Sequence, residues 1–187
     1  DNHIKGALLV CLAATMWGFD GIALTPRLFN LHVLFVVFIL HLLPLILMSV
    51  IFGKEEIKNI RKLDKNDLFF FFCVALFGGS LGTLSIVKAL FLVNFKHLTV
   101  VTLLQKLQPI FAILLARILL KEKLKKDYLF WGFLALLGGY FLTFEFNVPE
   151  VVEGDNLLAA SLYSLLAAFS FGSATVFGKR VLKAASF

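Results

Sequence analysis

Charge is what this sequence has least of. Asp, Glu, Lys and Arg make up 16% of its 187 residues, whereas a soluble domain needs about 25% to coat its surface. Cysteine is nearly absent as well. Cys11 and Cys73 both lie inside apolar stretches, which excludes a disulfide framework and a thiolate metal site and leaves two buried, inert thiols. There is no His-Glu-x-x-His, no Gly-x-Ser-x-Gly and no Walker loop, and no span holds a pair of neighbouring carboxylates. An enzyme and a nucleotide-driven pump are therefore not expected, nor is any metal or cofactor. The chain opens on Asp1-Asn2-His3 without an initiator Met and closes on Ser186-Phe187 just after an apolar block. It reads as a fragment of a longer chain. The first apolar block is full length and is followed by five more, so it does not read as a signal peptide.

What is abundant is hydrocarbon: 60% of the residues are hydrophobic and 22 are Phe. A membrane-spanning helix needs roughly 20 mostly apolar residues, rising 1.5 Å each, to cross a core of about 30 Å. Six blocks of that size run from Ile4 to Leu24, Leu31 to Phe52, Leu68 to Val93, Leu98 to Leu120, Tyr128 to Phe146 and Leu157 to Gly178. They are twice as long as barrel strands and do not alternate, so the expected fold is all-α, a polytopic membrane bundle of six spans. Thr25-Pro26, Gly53-Lys54, Asn94 and Asn147 to Pro149 separate the blocks, and Gly154-Asp155-Asn156 is a helix N-cap signal before the sixth.

The formal charge of +6 takes its meaning from where the cations sit. Lys5, the connection holding Lys54, Lys58, Arg61, Lys62 and Lys65, the connection holding Lys121, Lys123, Lys125 and Lys126, and the terminal Lys179, Arg180 and Lys183 alternate with connections holding only Arg27, only Lys96, or no cation at all. The last of these carries Glu145, Glu150, Glu153 and Asp155 instead. Cytoplasmic loops retain Lys and Arg, so the alternation predicts a cytoplasmic N-terminus. The same cations face anionic lipid, which removes nucleic acid as a partner.

Span six repeats span one at an offset of 154 residues: Leu8 matches Leu162, Leu12 matches Leu166, Ala13-Ala14 match Ala167-Ala168, Gly18 matches Gly172 and Leu28 matches Leu182. Five spans per repeat is an odd number, so a second copy enters the membrane from the opposite side. Secondary transporters are commonly built from such inverted repeats.

Several short motifs fall in a fixed order. They are Ala13-Ala14-Thr15-Met16-Trp17-Gly18, Gly78-Gly79-Ser80-Leu81-Gly82 with Lys88-Ala89-Leu90, Leu103 to Leu124 with its Gln108-Pro109-Ile110-Phe111-Ala112 core, Trp131-Gly132, Gly138-Gly139 and Gly154-Asp155. In this set the sequence resembles EamA-type members of the drug/metabolite transporter superfamily over nearly its whole length. The resemblance implies a ten-helix carrier of two inverted five-helix repeats around a central cavity, working by alternating access, often as a metabolite or amino-acid exporter of a prokaryotic inner membrane. Residues 1–147 would then be the first repeat, and residues 148–187 an external linker and the first helix of a truncated second. A chain that truly ended here would need a second copy, a homodimer, to complete the cavity.

Ionisable residues inside spans are costly and usually face a cavity or a partner. Lys106 in mid-span four costs about 2.5 to 3.5 kcal/mol, which about fourteen large apolar residues at roughly 0.3 to 0.6 kcal/mol each offset. At 100° per residue Thr99, Thr102, Gln105, Lys106, Gln108 and Pro109 share about half the circumference, so one side of span four is expected to line a solute cavity. Asp20, Lys88 and Lys106 lie in the outer half of the membrane by residue counting. Asp20 pairing with either lysine would leave the other ammonium for the solute; the other reading is that Asp20 and Lys88 snorkel to the surface, as Arg117 does on the inner side. His41 is a proton carrier or a packing histidine, and Trp17 walls the cavity or packs against a neighbouring helix. Gly78 and Gly82 permit close helix approach, and Pro109 marks a kink or a gate.

The function expected from these features is a gradient-driven carrier of a small polar solute such as an amino acid, with the lipid bilayer and the solute as its partners. A non-transporting membrane scaffold or subunit and a lipid flippase are the alternatives.

Overall fold

The computed structural model describes residues 2–20, 23, 25–60, 63–123, 127–144, 146 and 156–184. Leu24, Arg61, Lys62, Leu124 to Lys126, Glu145, the stretch from Asn147 to Glu153, and Gly154 and Asp155, on which expectations about linkers and caps fall, lie outside the described residues.

Every one of the six apolar blocks is helical, and no strand occurs among the described residues. Span one is α1 (Asn2–Phe19), and span two is α2 (Val33–Ile60), which runs through Pro44 and continues well past the apolar block. Span three is built from α3 (Lys65–Val74), a π-helical segment (Ala75–Gly82) and α4 (Thr83–Leu92). Span four is α5 (Leu98–Gln105) and α6 (Gln108–Leu119). Spans five and six are α7 (Asp127–Phe144) and α8 (Leu157–Ala184). Four stretches are long and apolar enough to cross a bilayer, Val33–Ile51, Lys65–Leu92, Leu98–Leu119 and Leu157–Leu182, with Ile4–Phe19 a shorter apolar helix. The fold is a polytopic helical bundle.

Local chemistry sets several ends. Asp64 caps α3, its carboxylate accepting the Asp67 N–H at 2.6 Å, a standard use of an acidic side chain on an orphan donor. Span one stops being α-helical at Phe19, earlier than its apolar block ends, and the chain turns through a 3₁₀ segment, Thr25–Leu28.

The bundle is organised around α8, which contacts α3, the π-helical segment, α4, α5 and α6. The reason lies in its two faces. Ala160, Ser164, Ala167, Ala168, Gly172 and Ser173 are all buried, at the helical spacing that puts small residues on one side. Leu158, Leu162, Leu166, Phe169 and Leu182 are exposed on the other. Lipid tails are as apolar as leucine, so helices in a membrane associate through close van der Waals packing, and small residues allow it. The partner surface on span three is equally small: a Cβ added at Gly78 would lie 3.0 Å from Ala174 Cβ, and one at Gly82 only 2.7 Å from the Phe171 ring. Two buried hydroxyls of α8 are spent within the helix, Ser164 donating to the Ala160 carbonyl and Ser173 to that of Phe169, each at 2.8 Å.

The repeat partners of this face have different surroundings. Ala13 and Ala14 are exposed, and nothing lies within 4 Å of a Cβ built on Gly18.

Span three runs antiparallel to α8. Ala89 and Val93 near its end share one apolar cluster with Val101, Leu157 and Ala160 at the start of α8. Phe70, near the start of span three, meets Arg180 near the end of α8.

Candidate functional site

Span four is discontinuous, and its sequence explains why. Pro109 has no N–H to give the Gln105 carbonyl four residues back, and it sits in the first turn of α6, where a missing donor costs nothing. The backbone makes tight turns instead: the Lys106 N–H is shared between the Thr102 and Leu103 carbonyls at 3.0 Å, Leu107 donates to Leu104 at 3.2 Å, and Ile110 donates to Leu107 at 2.9 Å. Among the described residues no backbone N–H reaches the Gln105 or Lys106 carbonyl. Pro109 thus marks a break between two helices, whereas α2 continues through Pro44.

The break is seated on α8. A Cβ placed on Gly172 would stand 3.0 Å from the Gln108 carbonyl oxygen, the Ala112 nitrogen and Phe111 Cβ. The start of α6 therefore rests directly on the glycine backbone. Gln105, Gln108 and Thr102 are half-buried beside it, and Lys106 and Pro109 are exposed on the outer side of the turn. The Thr102 hydroxyl donates to the Leu98 carbonyl at 2.7 Å. The Lys106 ammonium has no hydrogen-bond or ion-pair partner among the described residues.

A second polar group gathers at the end of the bundle where α4 finishes and α8 begins. Lys88 is half-buried, with its ammonium 5.4 Å from the centroid of the Tyr163 ring of α8. It lines a cavity of about 280 Å³ with Val33, Phe91, Leu92, Asn94 and Asn156. Phe91 belongs to a triad with Phe29 and Phe95, its ring centroids 5.1 and 6.0 Å from theirs. Asn94 holds a left-handed backbone, φ 49°, a conformation that asparagine tolerates better than most residues.

The remaining predicted site residues make contacts of their own. Asp20 accepts a 3.3 Å hydrogen bond from the Thr25 hydroxyl through Oδ2, while its Oδ1 is buried without a partner among the described residues. Neither Lys88 nor Lys106 is paired with it there. Trp17 is 59% exposed and meets Phe171 edge-on at 6.2 Å. His41 has its Nδ1 2.8 Å from the Val37 carbonyl, so that nitrogen carries the proton, and its Nε2 side lies against Gly79 of the π-helical segment.

A broken span and two intramembrane lysines, Lys88 and Lys106, with no carboxylate partner among the described residues are features common in membrane transport proteins. Comparison with known proteins agrees. Residues 4–144 match the model of the EamA-like transporter family. The chain belongs to that family. It is also 88% identical over all 187 residues to a protein of Fusobacterium nucleatum subsp. nucleatum (strain ATCC 23726 / VPI 4351) named riboflavin transporter ImpX, spanning 62% of that protein's length. No solved structure gives a significant match.

In this EamA chain the opposite end of α8 is held by charge. The Lys179 ammonium bonds the Glu122 carboxylate, and the Arg180 guanidinium lies 4.4 Å over the Phe70 ring. Asn94, Asn156 and Phe91, which line the cavity, and Tyr163, which faces Lys88, are not among the site candidates read from the sequence. In the sequence Asn94 and Asn156 read as breaker and cap, and their common end of the membrane is the available signal.

Proposed function

We propose that the protein carries riboflavin across a prokaryotic inner membrane by alternating access. The observation that carries this reading is the 88% identity, over the entire chain, to a protein named as a riboflavin transporter. The discontinuous span four supports it, because a break in mid-membrane frees backbone carbonyls next to a solute path. Riboflavin narrows the expected small polar metabolite to a neutral, planar heterocycle bearing a polyol chain.

In this reading residues 1–147 form the first five-helix repeat, and residues 148–187 form the linker and first helix of the second. The N-terminus and the Lys179 end of α8 are cytoplasmic. Lys106, Gln105, Gln108 and Thr102 line the path at the break, with Pro109 as its gate, and Asp20, Trp17 and His41 flank it. Lys106 supplies donors for carbonyl oxygens, and the two glutamine amides suit hydroxyls of the ribityl chain.

Thermal unfolding of the purified full-length protein tests the reading. Riboflavin at a hundred times its dissociation constant should stabilise the protein by about 2.7 kcal/mol, and an unrelated vitamin should not. An unshifted transition at saturating riboflavin would contradict it.

A further inference from the structure

We propose that the cavity between Lys88, Phe91, Asn94 and Asn156 is an entry site that captures the isoalloxazine ring of a flavin before it reaches the break in span four. The proposal rests on the riboflavin reading and assigns that solute a second, outer site.

Three observations carry it. First, Lys88 is half-buried and its charge faces the Tyr163 ring at 5.4 Å. A π face satisfies a cation electrostatically but takes up none of its hydrogen bonds as a carbonyl would. An ammonium has three donors, so the group is left able to serve carbonyl oxygens of a ligand. Second, Asn94 and Asn156 come from two different connections and meet at one cavity. Each carboxamide offers both a donor and an acceptor. The imide edge of an isoalloxazine presents acceptor, donor and acceptor in a row, which an ammonium and two carboxamides complement. Third, the other walls are apolar: Val33 and Leu92 beside Phe91, which the Phe29 ring meets edge-on and the Phe95 ring at a tilt. Flat apolar walls with a few placed polar groups are the usual make-up of a small-molecule pocket.

Size sets the orientation. At about 280 Å³ the cavity lies just under the usual range of about 300 to 1,000 Å³ for a pocket holding a whole ligand. It suits the ring system and leaves the ribityl chain outside. The cavity lies at the end opposite Lys179, the outer mouth in the proposed orientation. Its walls come from α4, the first residue of α2, Asn94 and Asn156, the residue just before α8, so a relative movement of α4 and α8 would release the ring inward.

The test is riboflavin transport by the full-length protein in liposomes, with lumiflavin, which has the ring but no polyol, and ribitol, which has the polyol but no ring, as competitors. Lys88→Met should raise KM about tenfold, the share of one charge-assisted hydrogen bond, and weaken inhibition by lumiflavin to a similar extent. Lys88→Arg should recover most of both, and Asn156→Ala should raise KM less. Ribitol should compete equally with all forms. Size-exclusion profiles of each variant check that the fold is kept. Wild-type transport with KM and lumiflavin inhibition unchanged in Lys88→Met and Asn156→Ala would overturn the entry site alone. A wild-type protein that neither transports nor binds riboflavin would overturn the riboflavin reading together with it.

Discussion

The Lys179 ammonium at the end of α8 stands 2.8 Å from Oε1 of Glu122 and donates a 2.9 Å hydrogen bond to Oε2. The two residues are 57 positions apart in sequence. The pair ties the connection after span four to the last turns of span six, and the Arg180–Phe70 contact ties the start of span three to the same place. Together they close the lysine-rich end of the bundle.

Because Lys179 and Glu122 are 51% and 31% exposed, their attraction is that of a surface pair, about 0.2 to 1 kcal/mol. Lys179→Glu should therefore leave the thermal midpoint almost unchanged while, under the proposed alternating access, shifting the protein toward the state open on that side. The double variant Lys179→Glu with Glu122→Lys should restore the wild-type distribution, read as alkylation of a cysteine introduced near the break. Equal alkylation of all three forms would remove the pair from any latching role.

Close packing of α8 makes a sharper stability prediction. A Cβ at Gly82 would stand 2.7 Å from a Phe171 ring carbon and 2.8 Å from the Phe77 carbonyl oxygen. Backbone cannot move aside as a side chain can, so Gly82→Ala should destabilise by about 1 to 3 kcal/mol. Gly138 meets nothing within 4 Å, and Gly138→Ala should be neutral or stabilising by up to about 1 kcal/mol, since alanine is the better helix former. Thermal midpoints of the two variants in the same detergent make the comparison.

At the break, Pro109→Ala supplies the missing N–H to the Gln105 carbonyl and removes the ring that keeps a helix from running through this position. The helix should become continuous, raising the thermal midpoint while transport slows by about tenfold or more. A variant that transports at the wild-type rate would show that the discontinuity serves packing alone.

Lys106 lies exposed on the outer side of that turn. If it donates to the solute, Lys106→Met should cut transport efficiency about tenfold to a hundredfold, the range for a hydrogen bond from a charged donor, with the protein still folded. Initial rates over a riboflavin series give the value.

The helices were legible in the sequence because block length and polar punctuation are local properties. Pro109 marked the place in span four where the helix is interrupted, but the sequence read it as a kink or a gate within one span, whereas the structure has two helices there. The glycines of span three also read correctly as places of close approach, since Gly78 and Gly82 are where α8 arrives. The change of span one from α-helical to π-helical geometry, seen at Asp20 and Ala23, was not legible, because that stretch is as apolar as what precedes it apart from Asp20. The cavity beside Lys88 was half legible. Lys88 drew attention as an intramembrane charge, but Tyr163, on which it rests, lies in another span. Asn94 and Asn156 look the same in sequence whether they only end a helix or also face a ligand.

Counterflow measures the central claim most directly. Liposomes holding the full-length protein are loaded with unlabelled riboflavin and diluted into a trace of radiolabelled riboflavin. A carrier predicts transient accumulation of label inside, abolished when lumiflavin saturates the outside. Label that enters no faster than into protein-free liposomes, or that equilibrates without any overshoot, would contradict the account.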